Sequence, residues 1–444
     1  MFWKKTQKKS DEEKQPHELL PSINFTAAGP DSAAQQANLI QARQSPAWTF
    51  AMALVADGVQ RRADCVMLDY TRDDVAVNYL IDGMWVQMPR RPRDVGDAML
   101  ACLKQLAALN PAERVKKQES RFGGETGGNK YNIFFTSQGV PTGERVIIKM
   151  VPKKAKFSTL EELGMRDKMI EQYKQIINQH QGMIILSAPP SNGLTTLWSV
   201  GVQAADRFVR DFVGAESKQS TDDEIINVIM QKYDASKGET PATVLPKMIL
   251  KQPDALVVPE LTNAESMKIA LDFVTNEEKM LITRAVASDA VEALLRIAAL
   301  KGPLDLLAKN VTMVVNTRLV RRLCECKQPF EPPPQLLQRL GIPAGRVPVL
   351  YREWQPPPPD PNAKKQEEPQ ICGRCNGVGY YGRIGMFEML VMNDKLRDAL
   401  VKTPKLDILR QVARQTGTRS IQDEGILLVV KGETSLTELQ RVLK

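Results

Sequence analysis

Between Ser158 and Asn316 short apolar runs alternate with stretches of helical periodicity, and this alternation limits the fold more than any other feature of the chain. The runs are Met183 to Leu186, Arg210 to Val213, Ala255 to Val258, Met280 to Thr283 and Val311 to Val315. Each has the length of a strand, and all but Arg210 to Val213, which opens on two charged residues, are largely apolar throughout, the pattern of a strand buried between two helical layers. The expectation is a parallel sheet of βα units covered on both faces. Ligands in such sheets bind beyond the carboxyl ends of the strands, so the residues after each run are the candidates for chemistry.

After the first run comes Ala188-Pro189-Pro190-Ser191-Asn192-Gly193-Leu194-Thr195, the eight-position frame of a phosphate-binding loop with leucine where the lysine belongs. Such a loop cradles phosphates with backbone N–H groups, reaches the β and γ oxygens with lysine and binds magnesium through a Ser/Thr hydroxyl. Gly193 and Thr195 match, Pro189 and Pro190 remove two N–H donors, and Leu194 supplies no charge. The candidate nucleotide-binding residues are therefore Ser191, Asn192, Gly193, Leu194 and Thr195, in a strand, loop, helix context running on to Phe208. An ordinary polar turn is the competing reading. The run Pro253 to Val258 ends at Pro259-Glu260, and Glu260 is the candidate catalytic carboxylate for polarising a lytic water near magnesium. It is equally a charged residue at the exposed end of a buried strand, and ATP with magnesium is a doubtful cofactor when the cationic clamp is missing.

Cys324, Cys326, Cys372 and Cys375 form two local pairs, which suit a structural tetrahedral zinc site; free thiols in a loop-rich region are the alternative. Between the pairs, Glu331 to Gln370 carries two proline runs and is expected to be an extended, exposed segment. Cys65 and Cys102 stand alone on apolar stretches, as buried hydrophobes do.

The chain has 444 residues, 43% hydrophobic and 25% charged, which is ordinary for globular domains and enough for two to four of them. The net charge of +8 permits nucleic acid, but the cations are scattered among 52 acids without an aromatic or basic recognition stripe, so nothing argues for it. No run suits a membrane span and the start, Met1-Phe2-Trp3-Lys4-Lys5, has no apolar signal stretch, so a cytoplasmic location is expected, with peripheral contact at a membrane left open. Residues 1–45 read as a flexible polar arm. Residues 46–155 read as a small α/β domain: helices Ala47 to Arg61 and Val95 to Leu109, and strands Cys65 to Asp69, Val75 to Ile81, Trp85 to Met88, Lys130 to Phe135 and Glu144 to Met150, with Asp82-Gly83 as a tight hairpin turn. Residues 391–444 read as helical, over Leu396 to Leu400, Leu406 to Thr416, Gly425 to Lys431 and Leu436 to Leu443, with Gly417 and Gly432 as stops.

The loop and Glu260, Leu319-Val320-Arg321-Arg322-Leu323-Cys324, the CxxC followed by Gly379-Tyr380-Tyr381-Gly382-Arg383-Ile384-Gly385-Met386-Phe387-Glu388, and Lys431 to Leu439 together resemble the type II secretion and type IV pilus assembly ATPases, the GspE/PilB-like family. The resemblance covers roughly residues 50 to 444. It implies an α/β chain with a sensor-like N-terminal domain, a RecA-like P-loop NTPase core at 156–320, a tetracysteine subdomain at 321–390 and a C-terminal helical subdomain at 391–444. It also implies a hexameric ring, homo- or hetero-oligomeric, on inner-membrane platform proteins.

Several family features are altered. Leu261-Thr262-Asn263 stands where the family has Arg-Asp after the glutamate, and with histidine only at 17 and 180 the family's histidine box is absent. The acidic box reads Lys117-Gln118-Glu119-Ser120-Arg121, Phe134 stands where an arginine is usual, the turn Leu80-Ile81-Asp82-Gly83 lacks its arginine, and the first cysteine pair is CxC instead of CxxC. The resemblance thus implies a degenerate, inactive member serving as a structural or regulatory subunit of a secretion or pilus machine, alone or beside an active paralogue. Two alternatives stand: a slow ATPase that uses another cation such as Lys247 or Lys251, and a zinc-stabilised binding module with no part in secretion.

Overall fold

The computed structural model describes residues 22–154, 156–220, 222–343, 345–356 and 370–444. The chain divides into two compact units, Met1–Lys156 and Phe157–Lys444.

The first unit contains β1 (Asn24–Thr26), α1 (Ser32–Arg43), α2 (Trp48–Gln60), β2 (Ala63–Tyr70), β3 (Asp74–Ile81), β4 (Met84–Pro92), α3 (Arg93–Leu106), β5 (Gln118–Thr126), β6 (Asn129–Val140) and β7 (Gly143–Pro152). Its strands form one sheet in the order β1-β5-β6-β7-β2-β3-β4, every pair antiparallel. The expected hairpin turn is present, with Asp82 at φ 49° and Gly83 at φ 82°, the left-handed pair that matches strand twist. Leu54, Val66, Leu68, Leu103, Phe135 and Ile148 meet in the core. A buried ion pair, Lys104 to Glu144 at 2.5 Å, ties α3 to β7, and Ser137 donates to the same carboxylate.

The flexible-arm expectation fails for residues 22–45, while residues 1–21 lie outside the described residues. Asp31 caps α1 by accepting from Ala34 N–H, and β1 adds to the free edge of β5. The segment is polar on average, but Ile23, Phe25, Ala27 and Ala42 all point into the core, with Phe25 edge-on to Trp48 and Phe122. A few well-placed apolar side chains offset the ordering entropy that average composition suggested could not be met.

The second unit contains α4 (Asp167–Ile177), β8 (Gly182–Ala188), α5 (Leu194–Gln203), β9 (Phe212–Ser217), β10 (Val228–Tyr233), α6 (Pro241–Ile249), β11 (Ala255–Val258), α7 (Ala264–Asn276), β12 (Met280–Val286), α8 (Ala290–Ala298), α9 (Leu304–Asn310) and β13 (Val311–Leu323). It continues with β14 (Gln328–Phe330), α10 (Pro334–Arg339), β15 (Leu350–Arg352), β16 (Tyr380–Val391), α11 (Asp394–Lys402), α12 (Leu406–Gln415), α13 (Ile421–Val430) and α14 (Leu436–Leu443). The large sheet runs β10-β9-β11-β12-β8-β13-β16, parallel except for β16 against β13.

Four of the five runs lie wholly in this sheet, and the fifth, Arg210 to Val213, enters it at Phe212, where β9 begins. Alternate residues enter opposite cores: Met183, Ile185, Leu256 and Leu281 pack on one face, Ile184, Leu186, Val257 and Ile282 on the other. A strand covered on both faces has no polar side to display, hence the unbroken apolar runs. The first helix after the loop ends at Gln203, short of Phe208, and β10 is an edge strand whose mixed sequence gave no run. The region between the cysteine pairs is not simply extended: α10 starts at Pro334, where proline's fixed φ suits the first helical turn, and β14 pairs with β15. The second proline run lies largely outside the described residues. No helix among the described residues is long and apolar enough to cross a membrane.

Candidate functional site

Strand β8 lies between β12 and β13 in the large sheet, and the degenerate loop leaves its carboxyl end into α5. Ser191 at φ 61° and Gly193 at φ 88° adopt left-handed backbone, which turns the chain sharply before the helix. Asn192 holds the turn: its N–H donates to Pro189 O, its side-chain amide to Pro190 O at 2.9 Å, and its Oδ1 accepts from Leu319 N–H of β13 at 3.1 Å. Leu319's side chain lies beside Gly193, 3.5 Å from where a Cβ would stand. The loop is thus braced by its own side chains and by a neighbouring strand.

Beside it is a cavity of about 310 Å³, lined among others by Thr195, Glu216, Asp222, Tyr233, Glu260 and Arg284. Glu260 follows the end of β11 with its side chain 63% exposed. Arg284 on β12 has its Nη1 at 2.6 Å from Asp222 Oδ2 and its Nη2 at 3.7 Å from Glu260 Oε1. Burial, then the charges of Glu260 and Glu216, raises the Tyr233 hydroxyl above its ordinary pKa. Three carboxylates against one guanidinium make the lining unfavourable to a polyphosphate without metal.

The structure brings Thr195 and Glu260 to one cavity, while Ser191, Asn192, Gly193 and Leu194 form its neighbouring loop. Lys247 and Lys251 are exposed and do not line it; among the described residues the cation that does is Arg284. Arg284, Asp222 and Glu216 were missed in the sequence, where the one available signal was an arginine interrupting the Met280 to Val286 strand. The stretch replacing the family's Arg-Asp has structural employment: Leu261 is buried, and Asn263 caps α7 in a reciprocal box with Ser266. Phe134 is flanked in register by Arg121 on β5 and Lys149 on β7.

The second candidate site is the cysteine cluster. Cys324 and Cys326 follow β13, and Cys372 and Cys375 sit in a turn before β16 that is anchored by Cys324 N–H to Gly379 O at 2.9 Å. All four sulfurs lie within 4.8 Å of one another, with Cys324 to Cys372 at 3.9 Å and Cys326 to Cys375 at 3.6 Å. Zn–S bonds of about 2.3 Å in a tetrahedron require S···S separations near ~3.8 Å. The set therefore fits a tetrahedral ion, and the short CxC spacing does not prevent it, because the second pair approaches from a separate turn. Backbone N–H groups of Cys375 and Arg374 lower the Cys372 thiol to about 7, toward the thiolate a metal needs, while burial pushes Cys326 up. Cys65 and Cys102 are buried within the first unit, and burial raises both to about 11.

Residues 41–441 match the family model described as type II/IV secretion system protein. The type IV pilus assembly ATPase PilB of Thermus thermophilus is 24% identical over 402 residues, covering 89% of this chain and 43% of that protein, so the chain spans less than half its length. Protein transport protein HofB homolog of Escherichia coli is 24% identical over 444 residues, covering 96% and 91% of the two chains. The Legionella pneumophila ATPase DotB shares the fold, with a TM-score of 0.58 at 12% identity over 88% of this chain and 94% of that one. These matches support the secretion-family reading over that of an unrelated binding module. With its RecA-like core, braced loop and carboxylate-bearing cavity, the chain belongs to the type II/IV secretion system protein family.

Proposed function

We propose that this chain is a subunit of a secretion or type IV pilus machine that acts structurally or regulatorily instead of as a motor. The observation that carries this reading is the charge around the cavity: leucine replaces the lysine of the neighbouring loop, and Arg284, the cation among the described lining residues, faces Asp222 and Glu260. Phosphoryl transfer depends on cations that neutralise the transferred group, and a guanidinium engaged by carboxylates is poorly placed for that. The chain's partners on this reading are inner-membrane platform proteins and neighbouring subunits in a ring, either copies of itself or an active paralogue, with the work done at the cytoplasmic face. The cysteine cluster would hold one structural zinc through Cys324, Cys326, Cys372 and Cys375, stapling the segment between β13 and β16.

A second reading, a slow ATPase, is favoured by Thr195 and Glu260 lining one cavity. Calorimetric titration with a non-hydrolysable ATP analogue and magnesium separates the two. Weak or absent binding is expected. Micromolar binding, or ATPase activity abolished by Glu260→Gln, would overturn the degenerate reading in favour of the slow enzyme.

A further inference from the structure

Arg284 is placed by the sheet. On β12 it pairs with Leu186 of β8, follows Thr283, which pairs with Val258 of β11, and donates its own N–H to Pro259 O. Its side chain therefore starts between the strand that feeds the loop and the strand that ends at Glu260. The guanidinium carbon lies 5.4 Å from the ring centroid of Trp198 on α5, within cation–π range, which fixes the planar fork against the helix that follows the loop. Its side chain is 12% exposed and that of Asp222 is 9% exposed.

The contact with Asp222 is close in charge but poor in direction. Arg284 Nη1 and Asp222 Oδ2 lie 2.6 Å apart, yet neither atom is in an aligned hydrogen bond. A buried guanidinium N–H without an aligned acceptor stays available to a better one, and the arginine fork fits two oxygens of a phosphate. We propose that Arg284 is a phosphate-binding cation of this cavity, masked by Asp222, and that the ligand it suits is a phosphate-bearing molecule. In the wild-type chain a phosphate must displace one carboxylate and approach a second, so its binding is suppressed; a neutral residue at 222 leaves the same shape with the cation exposed.

The inference rests on the reading of a weakly binding cavity, yet the two fail separately. Tight ATP binding by the wild-type chain removes that reading, whereas this inference falls only with a comparison of variants. The full chain is titrated with inorganic phosphate and with ADP, as wild type, Asp222→Asn, Arg284→Met and the double variant. Asp222→Asn should tighten binding at least tenfold over wild type, by lifting a competing contact between charged groups, and Arg284→Met in the same background should remove the gain. Equal gains for phosphate and ADP assign the phosphate group alone as the ligand; a larger gain for ADP assigns a nucleotide, and either supports the proposal. An Asp222→Asn variant that binds no better than wild type, or a gain that survives Arg284→Met, overturns it. If Arg284→Met does not fold, as read by circular dichroism, Asp222→Asn with Arg284→Gln gives a neutral pair for the same comparison.

Discussion

The loop beside the cavity and the cysteine cluster both lean on β13, which braces the loop through Leu319 and leads into Cys324, yet they depart from the family pattern in opposite ways. At the loop the backbone frame is present and the lysine's charge is not. In the cluster every ligand atom is present although the spacing is short by one residue. A phosphate site needs several groups from separate elements at once, so on the proposed reading the loss of one lysine would leave a shaped but weak cavity. A tetrahedral thiolate site needs four like atoms at one separation, and turns that approach independently can supply it from more than one spacing.

The sharpest way to break this comparison is to attack the cluster. Purified protein should carry about one zinc per chain, and Cys372→Ser with Cys375→Ser should abolish it and destabilise the second unit severely, because structural zinc sites contribute on the order of 10–16 kcal/mol of binding linked to folding. Elemental analysis and thermal unfolding decide this. A metal content near zero in protein never exposed to chelator, or zinc unchanged in the double variant, would falsify the zinc assignment.

A smaller effect sharpens the other side. Leu194→Lys should create measurable ATP binding, since one charge-assisted contact is worth roughly 1.5–3 kcal/mol, or about one to two orders of magnitude in affinity. Calorimetry with an ATP analogue reads it. No gain at all would mean that the braced loop, with Asn192 tied to Leu319, has lost the shape as well as the charge.

The smallest effect tests whether the altered stretch after Glu260 serves structure. Asn263→Ala removes the cap of α7 and should cost about 1 kcal/mol of stability, while Asn263→Asp should cost little. Urea unfolding measures both. If Asn263→Ala instead changes nucleotide binding at constant stability, the stretch belongs to the site.

The parallel core was legible because its strands are buried on both faces: runs such as Ala255 to Val258 have no polar alternation to confuse them. The hairpin at Asp82-Gly83 was legible because few residue pairs take left-handed backbone twice in succession. Strand β10 and α1 were not, because an edge strand and a surface helix keep mixed sequences and owe their order to what they pack against. The loop, Glu260 and the four cysteines were found by spacing. Arg284 and Asp222 were not, since 62 positions separate them and no local rule links them.

The sequence by itself determined which chemical groups are available: no lysine at 194, four cysteines in two pairs, and strands fit for a doubly covered sheet. These follow from side-chain identity and from backbone rules that act over a few residues. Only the tertiary structure decided which of those groups meet. It set Arg284 against Asp222 and Glu260 in a single cavity, tied Asn192 to Leu319, and brought the four cysteine sulfurs within 4.8 Å of one another. Such meetings depend on strand order and register, and those are settled by the packing of whole faces, to which distant residues contribute together.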